Sequence, residues 1–247
     1  MLTEKTIRID FNEYCPEPFK AQELVDSVAE LVMKSLPDFD ITAIQDNDEK
    51  AFDLLCNGDT SSILWFDDPR KQAALRRFSP KDFNAFLTFN MLYDLTMSDP
   101  CLRPDKNPLF DTFIEWRWHP ESIISPDLSL DEILRPTCGV FVFYEQINHA
   151  IQIIAGYDSD HSDALRKIMC KEKKKELAFG LETFVSGAIG NGYSRKHAEE
   201  LFEYLHCHVK HCMKRVYAAA HAMIAYRTAY LKAHFPEEFA AVVNSRT

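Results

Sequence analysis

From Cys138 to its end, the sequence leaves little room for anything but helices. Helical patterning runs through about 140–155, 161–171, 173–190, 194–213 and 215–234. Asn191-Gly192 stops one helix and Ser194 starts the next. The glycine-rich Gly187 to Gly192 stretch reads as that helix end rather than a phosphate loop. Pro236 opens a last short helix, with Glu237 and Glu238 suited to its positive end. Only 7 glycines stand against 18 phenylalanines, which again favours helices over tight turns. A chain of 247 residues can bury its core as one large domain or two small ones.

Charge narrows the function classes. The net charge is −10, with charged residues at 27% and hydrophobic residues at 46%. That balance is globular, and the acidity opposes a general nucleic-acid binder, which needs clustered Lys and Arg to displace phosphate counterions. The seven cysteines are spread out, apart from Cys207 and Cys212, so reduced thiols are expected instead of a disulfide framework. The first residues lack an apolar signal core, and no run of 18 apolar residues occurs. The expectation is a soluble cytoplasmic protein with no membrane partner.

Upstream of Cys138 the pattern is mixed. Residues 5–11 alternate and predict a short strand. Residues 19–35 put Phe19, Leu24, Val28, Leu31 and Val32 on one helical face. Asp46 or Asn47 is expected to cap a short helix that ends before Gly58. Residues 61–66 are an apolar run expected to be extended. Residues 69–78 predict a basic helical turn, after which Ser79 is expected to cap a further helix with Pro80 at its first position. Residues 96–137 hold six scattered prolines and read as an irregular connection anchored by Trp116 and Trp118. The predicted fold class is mainly α, with a small N-terminal α/β portion. The predicted domains are 1–95, 96–137 and 138–247.

Several blocks then fall in a recognisable order. Gly139-Val140-Phe141-Val142-Phe143-Tyr144-Glu145-Gln146 comes first, followed by Ala155-Gly156-Tyr157 and Ala164-Leu165-Arg166-Lys167-Ile168-Met169-Cys170-Lys171. Ala218-Ala219-Ala220 and the run from Ala222 to Phe239 close the series. Earlier, Ile9-Asp10-Phe11, Leu54 to Thr60 and Leu75 to Phe83 match more faintly. Together they resemble the bacterial DNA polymerase III alpha subunit, the C-family replicative polymerase, in the fingers region and the edge of the palm. The family activity is DNA-directed DNA synthesis, a nucleotidyl transfer.

The resemblance implies site residues. Asp10 stands where the family has its third catalytic aspartate, the alternative being an exposed acid at a strand end. One carboxylate cannot hold the two Mg²⁺ ions such chemistry uses, so Mg²⁺ is expected only if a separate palm polypeptide completes the site. Arg166, Lys167 and Lys171 occupy the helix that grips the incoming triphosphate, the alternative being a solvated helix. Glu145 and Gln146 belong to the family's Tyr-Gln-Glu-Gln block, which has lost one Gln here. Lys214 and Arg215 fall in its Phe-Asn-Lys-Ser-His block, which has lost its His. The family's Arg-Pro-Gly-Pro loop reads Asp94-Leu95-Thr96-Met97, the Gly after Met is Cys170, and the next Lys is Glu172. Packing positions persist better than phosphate-handling ones.

His206, Cys207, His208, His211 and Cys212 form the one metal-like cluster in the sequence. Cys207/His211 and His208/Cys212 are both i, i+4 pairs, but they point about 100° apart on a helix, so one Zn²⁺ cannot readily use all four. No cofactor is expected for the isolated chain. Three readings follow: a fingers-like pseudoenzyme that binds DNA, nucleotide or replication proteins; an interaction scaffold without nucleic-acid binding; and one half of a split polymerase.

Overall fold

The structure is a computed structural model that describes residues 17–98, 109–171 and 173–246. Among these residues are twelve α-helices, a few short 3-10 turns, and one β pairing, a parallel bridge between Phe143 and Met213. The fold is mainly α. The strand expected at 5–11, and with it the α/β portion, lies outside the described residues.

The chain divides into two compact units, one holding residues up to Tyr93 together with Val216 onward, the other running from Asp94 to Arg215. In the first, α1 (Glu17–Met33) buries Ala21, Val25, Val28 and Val32 against Ile224 and Leu231 of α11 (Arg215–His234) and Phe239 of α12 (Pro236–Ser245). Leu24 and Leu31, expected on the buried face, are only partly covered, and Val25 takes the central place. Helix α2 (Glu49–Cys56) is capped by Asp48, whose side chain accepts from Ala51 N–H. The cap is thus one or two residues later than Asp46 or Asn47, because the Tyr226 hydroxyl holds the preceding turn: it accepts from Asp48 N–H at 2.9 Å and donates to the Gln45 carbonyl at 2.7 Å. Gly58 follows the helix at φ 67°.

Residues 61–66 are not extended. They form successive turns with Ser62 and Trp65 at positive φ, and the Thr60 hydroxyl closes them by donating to the Phe66 carbonyl. Ser79 does not start a helix either. It ends α3 (Pro69–Phe78) in the left-handed conformation, and Asp82 caps α4 (Phe83–Ser98) by accepting from Ala85 N–H. An acid three residues before the amide it accepts from is the better-placed cap. Phe66 stacks on Phe86 at 4.9 Å, and buried Lys71 donates to Asn90 at 2.7 Å between the Phe66 and Tyr93 rings.

In the second unit the segment expected to be irregular carries α5 (Leu109–Trp118) and α6 (Asp131–Leu134) among 3-10 turns. Its prolines bracket α5 and do not interrupt it. Trp116 lies 6.2 Å from Phe113, whereas Trp118 is 53% exposed and lies 5.8 Å from the Arg117 guanidinium. Four helices form the core: α7 (Tyr144–Ala155), α8 (Ser159–Lys171), α9 (Lys174–Gly190) and α10 (Arg195–Val209). Ile147, Ile151, Ile154, Leu165, Met169, Phe184, Phe202 and Leu205 fill it. Gly187 sits inside α9 at a close approach, since a Cβ there would lie 2.3 Å from the Ala155 carbonyl oxygen of α7. Residues 140–143 precede α7 as buried extended chain instead of opening the helix. Their amides are taken elsewhere: Gln146 Oε1 accepts from Val142 and Phe143 N–H, each at 3.0 Å. Among the described residues no helix is long and apolar enough to cross a membrane.

Candidate functional site

The polar residues predicted for phosphate contact gather around the start of α7, the side of α8 and the turn after α10. Gln146 is the local hinge pin. Its Nε2 donates to the Ile133 carbonyl at 3.0 Å and to Thr137 Oγ1 at 2.7 Å, while its Oε1 holds the two amides before α7. With all of its hydrogen-bonding capacity toward the protein in use, Gln146 positions backbone and does not reach outward. The bridge from Phe143 to Met213 then ties the start of α7 to the turn after α10, with Tyr144 N–H donating to the Met213 carbonyl at 2.9 Å.

Arg166 projects from α8 toward this start. Its side chain is 7% exposed. Nη2 and Nε donate to Asp163 Oδ1 at 2.6 and 3.1 Å, and the guanidinium lies 4.3 Å from the centre of the Tyr144 ring. Nη1 comes within 3.8 Å of Cys170 Sγ. Lys167, 60% exposed, pairs with the other oxygen of Asp163 at 2.7 Å. Hydrogen bonds from Lys167 and Arg166 hold the Asp163 carboxyl well below the usual carboxylate range. Burial pushes the Tyr144 hydroxyl up, and the Cys170 thiol adds to that rise. Burial likewise raises the Cys212 thiol, with Cys170 and Glu145 adding to the effect.

Glu145 is exposed and accepts the Arg215 N–H on both oxygens, at 3.2 and 3.1 Å, so it holds the first residue of α11. The Arg215 guanidinium lies 5.3 Å from the Phe143 ring. Lys171, at the end of α8, and Lys214 are exposed. Asp10 lies outside the described residues. Sequence reasoning named Arg166, Lys167, Glu145, Gln146 and Arg215 separately, the structure sets them around the start of α7, and Asp163 and Tyr144 were missed. Asp163 could have been found, since an acid three and four residues before two cations on a helix is a pairing signal.

The His/Cys cluster departs from its expected helical form. Helix α10 ends at Val209, four residues early, because Met213 is drawn to Val142, to whose carbonyl its N–H donates at 3.2 Å. His208 is buried, with Nδ1 2.8 Å from the Tyr204 carbonyl, and burial lowers its pKa. Cys212 Sγ donates to the His208 carbonyl at 3.4 Å, whereas Cys207 is exposed. Among the described residues no group of three or more His, Cys, Asp or Glu is placed to hold a metal ion.

Residues 21–192 match the family described as the bacterial DNA polymerase III alpha subunit finger domain. The chain is also 35% identical over 222 residues to the DNA polymerase III subunit alpha of Borreliella burgdorferi, covering 90% of this chain and 19% of the relative. The chain belongs to the DNA polymerase III alpha family. Other relatives agree: the subunit of Treponema pallidum is 34% identical over 82% of this chain and 17% of its own length, and that of Escherichia coli K12 is 30% identical over 84% and 18%. The chain thus spans about a fifth of the length of the curated relatives it matches. Arg166, Lys167, Lys171, Glu145 and Gln146 fall within the matched finger domain of the polymerase III alpha family, and Lys214, Arg215 and the His/Cys cluster lie beyond it.

Proposed function

We propose that this polypeptide works as a fingers-fold binding element and does not add nucleotides to a primer by itself. The reading rests on Arg166. A guanidinium on this helix suits a triphosphate. Here its charge is met by Asp163, one face lies on the Tyr144 ring, and 7% of the side chain reaches solvent. Turning it toward a phosphate means breaking two charge-assisted hydrogen bonds and exposing its aromatic support. Lys167 shares the same carboxylate. Lys171, Lys173, Lys174, Lys175, Lys214 and Arg215 are exposed, and these are the cations that would meet DNA, nucleotide or a replication protein.

The purified polypeptide, given primed template, Mg²⁺ and four deoxynucleotides, is expected to leave the primer unextended. Template-dependent incorporation overturns the proposal. A second reading, an interaction scaffold that ignores nucleic acid, is favoured by the net charge of −10. A DNA-binding titration against salt separates the two. Affinity that falls steeply with salt supports the first reading, and no binding at low salt supports the second.

A further inference from the structure

The loop between α5 and α6 exposes two large apolar side chains, Ile124 at 82% and Leu128 at 86%. It is held at two points and braced within itself. Asp127 Oδ2 meets His197 Nε2 of α10 at 2.8 Å, and its Oδ1 accepts from both the N–H and the hydroxyl of Ser129. Ser129 Oγ lies 3.1 Å from the Tyr193 hydroxyl, just beyond the C-terminal end of α9. The two apolar tips are therefore presented on a pre-organised loop, which lowers the ordering cost of docking. The loop is also acidic: Glu121, Asp127, Asp131 and Glu132 fall between His119 and Leu134, and no Lys or Arg does.

The opposite end of α9 has complementary properties. Lys173, Lys174 and Lys175 are exposed around its first residues, and Phe179 is 70% exposed one turn further on. The helix N-terminus adds partial positive charge. Lys173 pairs with Glu176 at 3.1 Å, a surface contact of little strength that another acid can displace. Phe179 lies about 16 Å along α9 from its Gly190 end, beyond which Tyr193 holds the loop, so the loop and the Lys/Phe end of one copy cannot cover each other.

We propose that the acidic Ile124–Leu128 loop of one copy docks on the Lys173–Phe179 end of α9 in a second copy, joining copies head to tail. Apolar contact and opposite charge act together at such a joint, and a joint of this kind adds further copies unless its rotation closes a ring. Sedimentation of the whole 247-residue protein over a wide concentration range tests it. At low salt the average mass is expected to climb past twice the 28.5 kDa of one chain, and to fall back as salt rises. The double variant I124S/L128S and the single variant F179S should each weaken association about tenfold or more. Mixed together, they should pair and stop at dimers, because each keeps one intact surface. All three side chains are well exposed, so helical circular dichroism should not change. Should one of these variants misfold, K174E/K175E and its rescue by E121K/E132K carry the same test. A mass that stays at 28.5 kDa throughout, or association untouched by the variants, overturns the proposal.

Discussion

Asp163 accepts from Arg166 and Lys167 at once, from three and four residues further along α8. Asp163→Asn keeps the shape and removes the charge, leaving a nearly buried guanidinium with a weaker acceptor. Asp163 itself is about a third exposed, so solvent screens part of the loss, and urea unfolding should show a drop of about 1–2 kcal/mol. The pH dependence carries the sign. The folded carboxyl is held below its ordinary 3.8, so its contribution is present above that value and lost as pH falls through the lowered one. Acid unfolding of Asp163→Asn should lack that part of the slope. His197 has the opposite sign. The Asp127 hydrogen bond raises it above 6.5, so its contribution is complete below 6.5 and disappears as pH rises through the raised value. In His197→Gln the fall of Tm over that window should flatten. If the two slopes match wild type, these pairs do not contribute as described.

Helix boundaries show what could be read from the sequence and what could not. Among α7 to α12 the ends that were legible are those where apolar spacing meets a cap or a breaker: Asn191, Ser194 and Pro236 all mark real ends. Ser79 and residues 140–143 misled because their roles depend on partners distant in sequence or on competing caps. Val142 and Phe143 stay extended only because Gln146 and Met213 take their backbone groups. Gln146→Ala should free those amides, with faster hydrogen exchange at Val142 and Phe143 and a loss of about 3 kcal/mol. Gly187 was legible as a glycine but not as a contact. Gly187→Ala places a methyl against the Ala155 carbonyl and should cost about 1–3 kcal/mol, read by thermal unfolding. For the candidate site, the cations and the spacing of Asp163 before two of them were legible in the sequence, but the burial of Arg166 under Tyr144 needed coordinates, since it leaves no periodic trace.

The first unit is assembled from both ends of the chain. Ala21, Val25, Val28 and Val32 need Ile224, Leu231 and Phe239 to cover them. Lys232 adds a polar tie, its ammonium donating to Asp59 Oδ1 at 2.6 Å and to Ser61 Oγ at 2.8 Å. A chain ended after Arg215 should keep the slow amide exchange of α7 to α10 and lose that of α1, and protection of α1 in that chain would show that the far helices are not required. Backbone continuity also orders events on the ribosome. The leading helices emerge with Ile224, Leu231 and Phe239 still untranslated, and at ordinary elongation speed they wait roughly 10–40 seconds for the trailing pair. During that interval they are natural clients for a chaperone that shields greasy surfaces on nascent chains.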